Sequence, residues 1–133
     1  MLNEICSSIE RPLLTIENAW KWYKKLVELR SDFHRFAFVY NWDEAPLLPT
    51  VGERWGVVLV DLSPGPARRA AVGRFQGAAD IVIAHDTEPK HNKLYGYSDD
   101  LWNRFRFTLH DERTNCRTTA LSDRVDMSSW IFA

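Results

Sequence analysis

The densest group of residues able to do chemistry is His85-Asp86-Thr87-Glu88, with His91 shortly after it. A histidine beside carboxylates suits a general base acting on an acceptor hydroxyl or amine, because its ordinary pKa lies near neutrality. Imidazole and carboxylate are also competent ligands for a divalent ion. The H-D-x-E-x-x-H spacing nevertheless lacks the helical i, i+4 histidine pair of a zinc protease, and a solvated polar loop has the same composition. A second group, Asp61 with Ser63 and Pro64, follows an apolar run; an ordinary strand-to-helix turn also calls for Asp, Ser, Pro and Gly. Glu17 ends another apolar run just ahead of a helical pattern, where a negative charge is favoured in any case. Arg68, Arg69 and Arg74 fit either an anion patch or a solvated helix face. Tyr95-Gly96-Tyr97 fits a lid or a turn with packed rings.

These residues need a frame. Leu13–Glu17 reads as a short buried strand, and Asn18 to Arg30 as a helix, with Trp20, Tyr23, Val27 and Arg30 at helical spacing and Asn18 as its cap. Phe36–Tyr40 is the next strand, followed by a loop that carries Asn41, Trp42 and Asp43. Trp55–Asp61 has five apolar residues in seven, the composition of a strand covered by helices on both faces. Ser63-Pro64-Gly65-Pro66 is a turn, with Pro66 opening a helix that Gly77 closes. Asp80–Ala84 is a second buried strand and delivers His85 and Asp86 to the edge that Asp61 occupies. A polar loop to about Ser98, a short helix at Asp99–Asn103 and two adjacent strands, Phe105–Leu109 and Thr118–Ser122, complete the order. Strand-helix alternation ending in a hairpin predicts an α/β fold: an open, mostly parallel sheet, helices on both faces, and an antiparallel hairpin at one edge.

The 133 residues allow one domain. A formal charge of -1 gives no global field favouring nucleic acid or anionic lipid, so neither is expected as a partner. Cys6 and Cys116 form no C-x-x-C or Cys/His metal spacing. Residues 1–12 lack a basic start with an apolar run, and no apolar run nears the ~20 residues of a membrane helix. A cytoplasmic protein with reduced thiols is the expectation.

Three motifs, taken in order and spacing, carry a resemblance: Arg11-Pro12-Leu13-Leu14-Thr15-Ile16-Glu17-Asn18, Trp55-Gly56-Val57-Val58-Leu59-Val60-Asp61-Leu62-Ser63-Pro64-Gly65 and Ala84-His85-Asp86-Thr87-Glu88. Together they resemble the class I S-adenosylmethionine-dependent methyltransferase fold after its first strand, over roughly residues 2–125. The resemblance implies that Glu17 accepts hydrogen bonds from the cofactor's ribose hydroxyls. It implies that Trp42 and Asp43 face the adenine, and that Ser63 lies at the cofactor site. His85, Asp86 and Asp61 would then form the catalytic acceptor end, S-adenosylmethionine would be the cofactor and a small molecule the acceptor.

In that fold the first strand runs into a glycine-rich turn that lets the backbone approach the cofactor. None of the six glycines lies before Gly52, and Leu2–Cys6 reads as the tail of the first helix. The missing strand is the central one. A gap is therefore expected between the Glu17 strand and the Asp61 strand, with self-association covering the exposed sheet region. On this reading the protein is methyltransferase-like without independent activity. Its rivals are an active methyltransferase with a rebuilt pocket, a binding or assembly module reusing the carboxyl edge of the sheet, and a metal-dependent hydrolase built on His85, Asp86, Glu88 and His91.

Overall fold

The computed structural model describes residues 8, 11–50, 52–113 and 116–130; the expected helix tail at Leu2–Cys6 lies outside them. The chain is α/β and divides into two compact units, Met1–Pro46 and Leu47–Ala133. In the first unit, β1 (Leu13–Glu17) and β2 (His34–Phe38) pair in parallel, Leu13 beside His34 through to Glu17 beside Phe38. Their connection is α1 (Trp20–Leu26), which tightens into a 3-10 turn over Val27–Leu29. This helix starts two residues later than Asn18: Ala19 stands at its N-cap without a side-chain capping bond, and just ahead of it Glu17 Oε1 accepts the N–H groups of Asn18 and Ala19 at 2.9 and 2.8 Å. Trp20 and Tyr23 stack at 5.4 Å, and both meet the Phe38 ring edge-on, so aromatic contact fastens α1 to β2.

The second unit holds β3 (Trp55–Val60), α2 (Ala67–Phe75), β4 (Ala79–Ala84), α3 (Asn92–Tyr95), α4 (Asp99–Trp102), β5 (Phe107–Asp111) and β6 (Thr118–Ser122). Its sheet is mixed, in the order β3-β4-β6-β5: β3 and β4 are parallel, while β6 runs antiparallel to both β4 and β5. The hairpin forms as expected, but β5 starts at Phe107 rather than Phe105. Phe105 is buried and its N–H extends the α4 turn by bonding to Trp102 O, so it belongs to the core and not to the strand. The loop after β4 is also more ordered than its polarity suggests. A 3-10 turn at Pro89–His91 leads into α3, which ends on Gly96 with φ +70, a left-handed conformation suited to glycine.

Ala71, Val72 and Phe75 of α2, with Tyr97, Leu101, Trp102 and Phe105, pack on Val60, Val82, Ala84 and Leu121. The expectation that the first strand of this unit is covered on both faces is corrected. Val58 and Val60 meet the core, whereas Val57 and Leu59 on the opposite face are 56% and 47% exposed. An apolar run on an edge strand reads in sequence like a buried one. No helix among the described residues is long and apolar enough to cross a membrane.

Arg69 ties α2 to α4 by bonding Gly96 O, the Ser98 hydroxyl and Asp100. The hydrogen bonds from Arg69 and Ser98 hold the Asp100 carboxyl down at about 2. A carboxyl whose folded pKa is lowered contributes stability above its ordinary value near ~4 and loses it as pH falls through the folded value. The tether should therefore persist to about pH 2. In carboxyl-detected NMR, Asp100 is expected to titrate last among the exposed aspartates other than Asp111, and Arg69→Met to raise it toward the ordinary range. A normal Asp100 titration in the unaltered protein would refute the tether.

Candidate functional site

Parallel pairing sets Val60 beside Ala84, so β3 and β4 release Asp61 and His85-Asp86 at the same end of the sheet. The His85 N–H still bonds to Val60 O at 3.2 Å, which extends the ladder one residue into the site. Asp86 has φ 55, an uncommon left-handed conformation for a residue with a side chain.

Arg68, in the first turn of α2, joins these segments. It is buried to 8% exposure. Its guanidinium donates to Leu62 O at 2.9 Å, His85 O at 3.2 Å, Asp86 Oδ2 at 3.1 Å and Asp61 Oδ1 at 2.7 Å. The Tyr95 ring lies 4.2 Å from the guanidinium carbon, a cation–π contact. Burial opposes the charge on Arg68, but Asp86 and Asp61 outweigh it and raise its pKa further. Tyr95 also explains Gly65: a Cβ there would meet the ring at 2.5 Å, so only glycine fits under the stack.

The antiparallel register sets Ala84 opposite Thr119, so the residues before β6 run back past the end of β4. Thr87 fastens them: its N–H bonds to Arg117 O at 2.9 Å, and its buried hydroxyl meets that of Thr119 at 2.7 Å. The Cys116 thiol thereby donates to Asp86 Oδ1 at 2.6 Å. That bond, with burial second, pushes the thiol up to about 11, so it is protonated at neutral pH and unsuited to nucleophilic attack. Burial opposes ionisation of Asp86, but the hydrogen bonds from Cys116 and Arg68 prevail and hold its carboxyl below the usual range. Burial drives the Tyr97 phenol up to about 12, and its hydroxyl faces His85 O at 3.4 Å.

His85, Asp86 and Asp61 thus meet as expected. His85 Nδ1 lies 3.3 Å from Asp86 Oδ1 and 3.5 Å from Asp61 Oδ1, close but not aligned as a hydrogen bond to either. Glu88 and His91 bond to each other at 3.2 Å beside them. Ser63 is exposed in the turn after Asp61, next to a cis peptide to Pro64. Glu17, at the end of β1, and Trp42 and Asp43, in the 3-10 turn Trp42–Glu44, belong to the first unit.

Neither alternative offered for Arg68, Arg69 and Arg74, an anion patch or a solvated helix face, describes Arg68. Arg68 and Arg69 are each engaged by carboxylates, and Arg74 lies over the Phe75 ring. Tyr95 and Tyr97 are packed rings, the second of the two alternatives for that segment. Sequence reasoning offered Arg68 only as part of an anion patch or a solvated face, and gave Cys116 no role at the site. Cys116 is found only by pairing Thr118–Ser122 antiparallel to Ala79–Ala84. Chemically, the cluster offers an imidazole between two carboxylates and a thiol, locked by one arginine. Comparison with protein-family models, with curated proteins and with solved structures yields no match for the chain.

Proposed function

We propose that the chain is a methyltransferase-like α/β protein whose acceptor end is the carboxyl edge of β3 and β4. One observation carries the reading. The strand ending at Glu17 lies in a two-stranded sheet and the strand leading to Asp61 lies in another, ordered β3-β4-β6-β5. Two separate groups of strands are what a Rossmann-like methyltransferase sheet would leave if its central strand were taken out, and that supports the reading. Acids stand at the carboxyl ends of β1, β3 and β4, where open α/β sheets bind ligands. Glu17 fits a ribose acceptor, since β1 ends on it and two backbone N–H groups orient its carboxylate.

No glycine before Gly52 supplies the close approach that S-adenosylmethionine needs. Methyl transfer by these residues alone is therefore not expected. Among the described residues, β1 has one strand neighbour, β2, and β3 has one, β4. A second copy covering the β3 edge, with its exposed Val57 and Leu59, is the occupant this reading favours. The alternative is a binding or assembly module for a small molecule or protein. It is supported by Arg68, which already compensates both Asp61 and Asp86 and so suits a rigid recognition surface.

Isothermal titration with S-adenosylhomocysteine, at a measured oligomeric state, separates the two. Micromolar binding by the self-associated form is expected, weakened about tenfold or more by Glu17→Ala, the scale of a lost charged hydrogen bond. No binding up to millimolar in any oligomeric state would remove the cofactor and leave the recognition module.

A further inference from the structure

We propose that His85, Asp86 and Cys116 form a binding site for a borderline divalent transition-metal ion, Zn2+ foremost. Each contributes one donor atom, and these atoms lie within 4.8 Å of one another, with all three residues half-buried. Three features favour an ion over a set of incidental neighbours.

The first is an orphan. His85 Nδ1 is buried and has no hydrogen-bond partner, although two carboxylate oxygens lie within 3.5 Å of it. A buried ring nitrogen left unsatisfied is costly, and an ion between it and Asp86 would relieve that cost. The second is the division of Asp86. Its Oδ2 is held by Arg68 at 3.1 Å and Tyr95 at 3.4 Å, while Oδ1 is turned toward Cys116 and His85. Outer partners that fix one oxygen and present the other are what a ligating carboxylate needs. The third is the donor set. Thiolate with imidazole selects Zn2+ over Mg2+ or Ca2+, which require oxygen ligands.

A second group, Asp86 with Glu88 and His91, shares Asp86 but offers less. It lacks a soft donor, and its Glu88 and His91 already satisfy each other at 3.2 Å. On binding, Zn2+ would take Cys116 as thiolate, with the thiol proton released to solvent and the Cys116–Asp86 hydrogen bond given up. Three protein ligands leave a fourth position open to a water or an anionic ligand. The site does not depend on methyl transfer: zinc binding without cofactor binding would sustain it and reject the other reading.

The test uses the whole chain, reduced and stripped with chelator, then titrated with Zn2+ against a chromophoric competitor. One ion per chain is expected. Cys116→Ser and His85→Ala should each weaken binding about 100-fold, at or beyond the upper end of outer-partner losses. Cys6→Ser and His91→Ala should leave it within about threefold, roughly 0.6 kcal/mol. With Co2+ as probe, the thiolate-to-metal charge-transfer band should be present in the unaltered chain and absent in Cys116→Ser. Circular dichroism checks that the variants fold. Failure of the folded, unaltered chain to bind Zn2+ at stoichiometric concentration would overturn the proposal. So would binding that survives Cys116→Ser but is lost in His91→Ala, which would assign the ion to the other group.

Discussion

Replacing Arg68 by methionine is expected to destabilise the protein by about 3–5 kcal/mol, the range for removing one member of a buried ion pair. Methionine keeps much of the volume beside Ala71 and Val72, so little of the loss would be packing. What it strands is polar. Asp86, with a side chain only 19% exposed, loses its guanidinium, and the carbonyls of Leu62 and His85 lose a charged donor. Asp61 adds less, because at 47% exposure water can replace the arginine. Urea denaturation should show a lower midpoint with an unchanged slope. Arg68→Lys should recover only part of the loss, since an ammonium group cannot reach four acceptors with the geometry of the fork. A change below about 1 kcal/mol for Arg68→Met would show that water solvates the site and that the lock is unimportant.

That prediction bears on function whichever reading holds. Arg68 touches the ends of β3 and β4 and the Tyr95 ring together, so it sets where Asp61, His85 and Asp86 stand relative to one another. Its loss should therefore weaken any ligand of the cluster, including Zn2+, even at temperatures where the variant stays folded.

The difference between what sequence and structure reveal is clearest at this arginine. Arg68-Arg69 reads as a charged helix face, and only the β3–β4 register shows Arg68 turned inward. Strand composition served well where the chain is regular: Leu13–Glu17 and Thr118–Ser122 stand where expected, and Trp55–Val60 and Ala79–Ala84 within a residue of expectation. It served less well at boundaries set by single side chains. Ala19 rather than Asn18 stands at the N-cap of α1, and Phe105 joins the core rather than the strand. His85, Asp86 and Asp61 were legible because their chemistry sits in continuous motifs at strand ends. Cys116 was not, because its place beside Asp86 comes from pairing 30 residues away in sequence.

Leu121→Ala should cost about 3–5 kcal/mol, the range for a leucine removed from a rigid core. Leu121 has no exposed surface and lies on β6, which is paired on both sides, opposite Val82 on one strand and Thr108 on the other. With hydrogen-bonded strands on either side, the backbone has little room to collapse into the cavity. Leu59→Ala makes the same chemical change on β3, whose only strand neighbour among the described residues is β4, at a side chain 47% exposed. It should cost less than about 1 kcal/mol in a monomer, because only part of its surface leaves water on folding. The pair of variants thus compares an interior strand with an outer strand of one sheet by one substitution. If Leu59→Ala proved as costly as Leu121→Ala, and its cost grew with protein concentration, the open face of β3 would be covered by another copy in solution. If its cost stayed small at every concentration, no second copy would cover the open face of β3 in the folded protein.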